Sequence, residues 1–201
     1  RDGEGLNLTH EVRNGIVKHS KGKGMIIPER PSDCAETLEG LVVRLSDIIA
    51  YVNHDLDDAL RAEVIRKSNI PKGITDTLGH THSERIDTMV RDVVYHSLKN
   101  DLAGVAMSET ISLATYNLRD FLYGQVYESE KIIMEFNKAK KILRDLYEYY
   151  LEHMEEVFRD IPVEKKLNRH RMVCDFVAGM TDRFAMATYE RLFLPQQWMI
   201  V

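Results

Sequence analysis

Scarcity marks this sequence before any motif does. Only Cys34 and Cys174 are cysteines. They form neither a disulfide framework nor a thiolate metal spacing, so buried free thiols in a reducing compartment are expected. Positive charge is not in excess: 27 Lys and Arg against 32 Asp and Glu give a formal net charge of -5, which excludes the basic footprint of a protein that tracks a nucleic-acid backbone. No apolar run approaches the ~20 residues a bilayer-crossing helix requires, and no signal-peptide pattern is present. A cytoplasmic protein with no membrane or nucleic-acid partner is therefore expected. Period-two alternation, internal repeats and low-complexity tracts are missing as well. The glycine- and lysine-rich stretch 18–24 lacks Walker spacing. It reads as a surface loop, or alternatively as a contact for a phosphate-bearing ligand.

What is present is helical periodicity. A hydrophobic content of 44% over 201 residues supports one domain, or one and a fraction, with a real core, and the fold class expected is all-α, a helical bundle. The strongest segment spans 37–61, TLEGLVVRLSDIIAYVNHDLDDALR, where Leu38, Leu41, Val42, Leu45, Ile48, Ile49, Val52, Leu56 and Leu60 recur at a helical period. Ahead of it, Thr9 is a cap candidate for a short helix through Val12, Ile16 and Val17, and Asp33 with Glu36 reads as a capping box. Beyond it, 68–73 reads as a turn and 83–99 as a helix, with another over about 109–127 capped by Ser108. One long helix over 131–158, ending before Pro162, and a last one over 165–194 complete the pattern. Ala178, Gly179, Ala185 and Ala187 would allow close approach in the last of these.

Into the greasy segment 37–61 are set Asp47, Tyr51 and Asp55, four residues apart. Side chains at that spacing lie one above another, so an acid, a phenol and a second acid line one stripe. A carboxylate flanked by Val43 and Ala50 is costly to bury unless a partner or a metal ion satisfies it. Arg119, Tyr123 and Tyr127 repeat the four-residue step. They read as a second polar stripe facing the first, or, more plainly, as packed core rings and an arginine paired at the surface to Asp120 or Glu128. The adjacent His54-Asp55 invites comparison with metal phosphohydrolases of the HD type, with His19 and Asp101 or Asp120 completing the set. That assignment fails, because nothing around His19 resembles a helical ligand site. Neighbours on one helix also diverge by roughly 100°, so His54 reads as a helix-surface histidine.

A resemblance then becomes visible. Leu45-Ser46-Asp47-Ile48-Ile49-Ala50-Tyr51, followed by Asn53-His54-Asp55-Leu56-Asp57-Asp58, resembles the terminal metal-ligand helix of the dGTPase-like deoxynucleoside triphosphate triphosphohydrolases of the HD superfamily. The run from Gly5 through His10-Glu11-Val12-Arg13-Asn14-Gly15-Ile16 resembles the segment ahead of that helix. Leu118-Arg119-Asp120-Phe121-Leu122-Tyr123 through Tyr127 resembles their substrate-pocket helix, and Asp175-Phe176-Val177-Ala178-Gly179-Met180-Thr181-Asp182-Arg183-Phe184 their C-terminal helix. The matches keep order over nearly the whole chain and are closest to the bacterial, Firmicutes-like branch.

The resemblance implies a reaction in which a deoxynucleoside triphosphate and water give deoxynucleoside and triphosphate. It implies a divalent cofactor, Mg²⁺ or Mn²⁺, with Asp47 as a ligand. It places Tyr51 against the deoxyribose, Asp55 on the sugar 3′-hydroxyl, and Arg119, Tyr123 and Tyr127 in the substrate pocket. Arginine suits phosphate because its fork donates two parallel hydrogen bonds. Ile48 departs from the pattern, being apolar where vertebrate relatives carry a phosphate-binding lysine. The sequence starts at Arg1 without methionine and in mid-motif, so residues 1–201 are expected to be the C-terminal part of a single helical HD-type phosphohydrolase. The histidine, the His-Asp pair and the catalytic residues are then expected upstream, and the 201 residues alone are expected to be inactive. Deoxynucleoside triphosphates as substrates and allosteric effectors, and a homo-oligomer, are the implied partners. Lys138, Lys140, Lys141 and Arg144 read as a solvated helix face or a regulatory nucleotide contact, and Trp198 as a subunit anchor. The competing readings are a non-catalytic helical regulatory or assembly module, and an HD phosphohydrolase acting on another nucleotide phosphoester.

Overall fold

The computed structural model describes residues 5–19, 26, 28, 30–158 and 168–195. Residues 20–24, Pro162 and Trp198, singled out above, lie outside them. Every regular element among the described residues is helical and no strand occurs, so the chain is all-α. The helices are α1 (His10–Lys18), α2 (Leu38–Arg61), α3 (Lys72–Leu78), α4 (His82–Lys99), α5 (Glu109–Leu122), α6 (Glu130–Glu152), α7 (Met154–Phe158), α8 (Arg169–Ala178) and α9 (Asp182–Phe193). The chain divides into two compact units, 1–129 and 130–201.

In the first unit α2 is central and packs on α1, α4 and α5, while α3 packs on α5 and α4. Thr37 starts α2 by accepting a hydrogen bond from the Gly40 amide at 3.1 Å, which satisfies one of the open amides of the first turn. The expected box of Asp33 and Glu36 does not cap it. Glu36 instead accepts from Asn14 Nδ2 at 2.9 Å and donates its own amide to Asn14 Oδ1 at 3.1 Å, tying α1 to the approach of α2. Where those helices meet, a Cβ on Gly40 would lie 2.6 Å from Ala35 Cβ and 3.5 Å from Gly15 Cα, so only glycine fits. Arg44, almost fully buried, donates to the carbonyls of Ile26 at 2.8 Å and Lys18 at 2.6 Å and so holds the far end of α1.

Leu45, Ile48, Ile49, Val52, Leu56 and Ala59 of α2 meet Ile74, Leu78, Met89, Ile111, Ala114, Leu118 and Leu122 in one core. Each large apolar side chain buried in this way contributes ~1.5–3 kcal/mol. Helix α3 begins at Lys72, at the end of the stretch 68–73 expected as a turn, and runs on through residues for which no element was expected. Its seven residues are too few to display a period, and Pro71 precedes it. Helix α4 is opened by a full capping box, Thr81 with Glu84.

In the second unit α6 packs on α7, α8 and α9 around Leu146, Tyr150, Val173, Val177 and Ala185. The long helix expected over 131–158 is broken at His153. The one expected over 165–194 is two helices, because Gly179 ends α8 and Thr181 caps α9 by accepting from the Phe184 amide. Of the small residues noted in that stretch, Ala185 is buried.

Candidate functional site

The two stripes meet within the first unit. Helix α5 does not run on as an α-helix to 127: it passes at Tyr123–Tyr127 into a π-turn, in which the Glu128 amide donates to the Tyr123 carbonyl five residues back at 3.1 Å. From that turn Tyr127 donates its hydroxyl hydrogen to Asp55 Oδ2, and the Tyr123 and Tyr127 rings pack edge to face with centroids 5.0 Å apart.

The electrostatics place the other members beside this pair. Burial raises the Tyr51 phenol above its ordinary value, the Arg119 guanidinium opposes that rise, and the nearby Tyr123 and Asp47 add to it. Burial also raises Tyr127, reinforced by the hydrogen bond to Asp55, that carboxylate's charge, and the neighbouring Tyr51 and Tyr123. Tyr51 therefore lies near Arg119, Tyr123 and Asp47, and Tyr127 near Asp55, Tyr51 and Tyr123.

Arg119 is 4% exposed and its guanidinium carbon lies 5.0 Å from the centroid of the Tyr116 ring. The alternative of a surface arginine is thereby set aside. Tyr51 and Tyr127 are half-buried and also touch the core, so each ring both packs and presents a polar tip. Asp47 and Asp55 are partly exposed. His54 is exposed, with its ring 5.2 Å from that of His82. Ile48 is buried, which accounts for its apolar character. Lys138 and Lys141 pair with Glu135 and Asp145 on the exposed face of α6, and Lys140 lies over the Phe136 ring.

No group of three or more His, Cys, Asp or Glu side chains able to hold a metal ion occurs among the described residues. Asp47 by itself does not fit a divalent cation, which takes about six ligands as Mg²⁺ and as many as eight as Ca²⁺. What these residues do form is a half-buried surface of two carboxylates and three phenols, backed by the buried Arg119 guanidinium. Such a surface can accept from a ligand hydroxyl, pack a flat ring and donate to an anion.

One constellation escaped the sequence reading. On the other side of α2, Asn53 and Asp57 both engage Arg85 of α4, at 2.8 Å each. The signal available was a polar pair four residues apart on a side of α2 that is otherwise apolar.

Residues 105–191 match the phosphohydrolase-associated domain. The chain is 44% identical over 204 residues to a deoxyguanosinetriphosphate triphosphohydrolase-like protein of Desulfatibacillum aliphaticivorans, covering 97% of this chain and 58% of that protein. It is 43% identical to one of Caldanaerobacter subterraneus, covering 98% and 55%, and 38% identical to one of Clostridium tetani, covering 98% and 56%. The chain thus spans a little over half the length of these relatives. No helix among the described residues is long and apolar enough to cross a membrane.

Proposed function

This chain belongs to the family of deoxyguanosinetriphosphate triphosphohydrolase-like proteins, and from that premise we propose that it carries the sugar-side wall of a deoxynucleotide site in a hydrolase. The reaction proposed converts a deoxynucleoside triphosphate and water to deoxynucleoside and inorganic triphosphate. The observation that carries the reading is the contact of Tyr127 with Asp55, which joins the stripes of α2 and of the α5 turn into one surface.

Each residue has work suited to its chemistry. Asp55 accepts the hydrogen bond of the sugar 3′-hydroxyl. The Tyr51 ring, one turn earlier, crowds the position of a 2′-hydroxyl and so favours the deoxy sugar. Arg119 donates its fork to phosphate oxygens, and Tyr123 and Tyr127 close the pocket over the nucleoside. Asp47 offers one carboxylate to a divalent ion, Mg²⁺ or Mn²⁺, whose other ligands would come from outside the described residues. One carboxylate is too few to derive any step through the metal here. Deoxynucleoside triphosphates as effectors and a homo-oligomeric assembly belong to the same reading.

The test is a panel of the four deoxynucleoside triphosphates assayed for triphosphate release by the full-length protein. Asp47→Asn should abolish release. Asp55→Ala removes a hydrogen bond to a charged acceptor, worth ~1.5–3 kcal/mol, and should raise KM about tenfold or more. Tyr51→Ala should admit ribonucleotides. No release from any of the four would leave a non-catalytic helical module as the better reading, and release from a different phosphoester would keep the hydrolase and change its substrate.

A further inference from the structure

The polar stripe of α2 faces α5 only while α2 does not roll about its own axis. Apolar packing of Ile49, Val52, Leu56 and Met89 selects the face of α2 that is buried, and directional bonds fix the angle within that face. The far side of α2 carries such bonds. Asn53 and Asp57 each follow a stripe residue, Tyr51 and Asp55, by two positions, which places them about 200° around the helix.

There Arg85 of α4, 3% exposed, donates from Nε to Asn53 Oδ1 and from its terminal nitrogen to Asp57 Oδ1, at 2.8 Å each. Asn53 is completely buried, and its amide group donates to the Ile49 carbonyl at 2.8 Å and to Met89 Sδ at 3.4 Å. Its oxygen is thereby turned to Arg85. His82 Nδ1 stands 3.0 Å from the other Asp57 oxygen without the alignment of a hydrogen bond, so the directional partner of Asp57 is Arg85. A rigid guanidinium fork thus reads two acceptors one helical turn apart. Rolling or sliding α2 by one residue breaks both bonds and strands a buried charge, which costs far more than making the pair gains.

We propose that Arg85 is a positioning residue: its fork fixes the roll of α2 so that Tyr51 and Asp55 stay presented to Arg119 and Tyr127. Its use to a ligand rests on the reading of that stripe as a deoxynucleoside surface, but its effect on Asp55 and Tyr127 does not. A residue that only stabilised the fold would lower stability without changing how Asp55 meets Tyr127.

A double-mutant cycle in this chain separates the two roles, using Arg85→Met and Tyr127→Phe and measuring melting temperature. The two residues share no hydrogen-bond partner in the structure, and changes at sites without common partners normally add. Positioning predicts that Tyr127→Phe lowers the melting temperature in the parent and has little effect in the Arg85→Met background. It also predicts that the ring signal of Tyr127, followed by NMR with labelled tyrosine, moves in Arg85→Lys. Lysine keeps the charge for Asp57 but cannot span both acceptors. If Arg85→Met fails to fold, Arg85→Lys replaces it in the cycle. Arg85→Met paired with Asp57→Leu, which removes both charges of the pair together, provides a further background. An additive cycle with an unmoved Tyr127 signal overturns the proposal. Titration with 2′-deoxyguanosine is run alongside. Absence of binding by the parent chain counts against the sugar-surface reading alone, whereas binding by the parent that weakens in Arg85→Lys joins the two.

Discussion

Tyr127 gives its only hydroxyl hydrogen to Asp55 Oδ2, which ties the turn after α5 to α2 through one carboxylate oxygen. Removing the hydroxyl in Tyr127→Phe should cost about 1 kcal/mol of stability, since the pair is half-buried and exchanges with water on unfolding. The pH dependence follows from the direction of the shift. Burial and Asp55 hold the folded phenol above the ordinary value of 10.0, so the unfolded phenol ionises first. The contribution of Tyr127 is therefore complete below that value and is lost as pH rises past it. Urea unfolding on either side of pH ~10 should show a fall in stability that is smaller in Tyr127→Phe, and smaller again when Tyr51→Phe is added. An equal alkaline fall in all three proteins would place the phenols in water. The stripe residues were legible because four-residue steps belong to a single helix and can be counted in sequence. The partners of Arg85 were not, because they lie 32 and 28 residues away and only packing brings them together.

Helix α2 was readable almost to the residue from its period and its length, although its cap is Thr37 and not the box expected at Asp33 and Glu36. Elements whose local signals were short or divided were harder. Helix α3 has seven residues, fewer than the window in which a period emerges. The junction of α8 and α9 carried its signal in Gly179 and Thr181, but flanking apolar residues on both sides imitated one continuous helix. The crossing of α1 and α2 could not be foreseen either, because a glycine inside a helix counts against it until a neighbouring backbone is known to need the room. That crossing makes a firm prediction. Gly40→Ala improves helix propensity yet drives a methyl to 2.6 Å from Ala35 Cβ. Overpacking of this kind costs ~1–3 kcal/mol, so a lowered urea midpoint is expected. A raised midpoint would mean that the segment carrying Ala35 can shift at no cost.

Over the whole molecule, two separate cores, one around α2 and one around α6, share a chain whose polar stripes lie entirely in the first unit. Among the described residues no group of three or more metal-ligating side chains occurs, so Asp47 there lacks the companions that a divalent ion needs. Calorimetry with Mn²⁺ should give weak binding only. Tight stoichiometric binding that disappears in Asp47→Ala would locate further ligands within this chain. The π-turn at Tyr123–Tyr127 has a consequence for changes in chain length. A π-turn accommodates one residue more than an α-turn in the same span, and Gly124, where an added Cβ would meet nothing within 4 Å, sits inside it. Deleting a residue from a helix ordinarily ruins its register. Deleting Gly124 would instead regularise the backbone into an α-helix and leave the residues beyond the turn close to their present register. Here a lineage could shed one codon and keep both a folded protein and the register of the chain that follows.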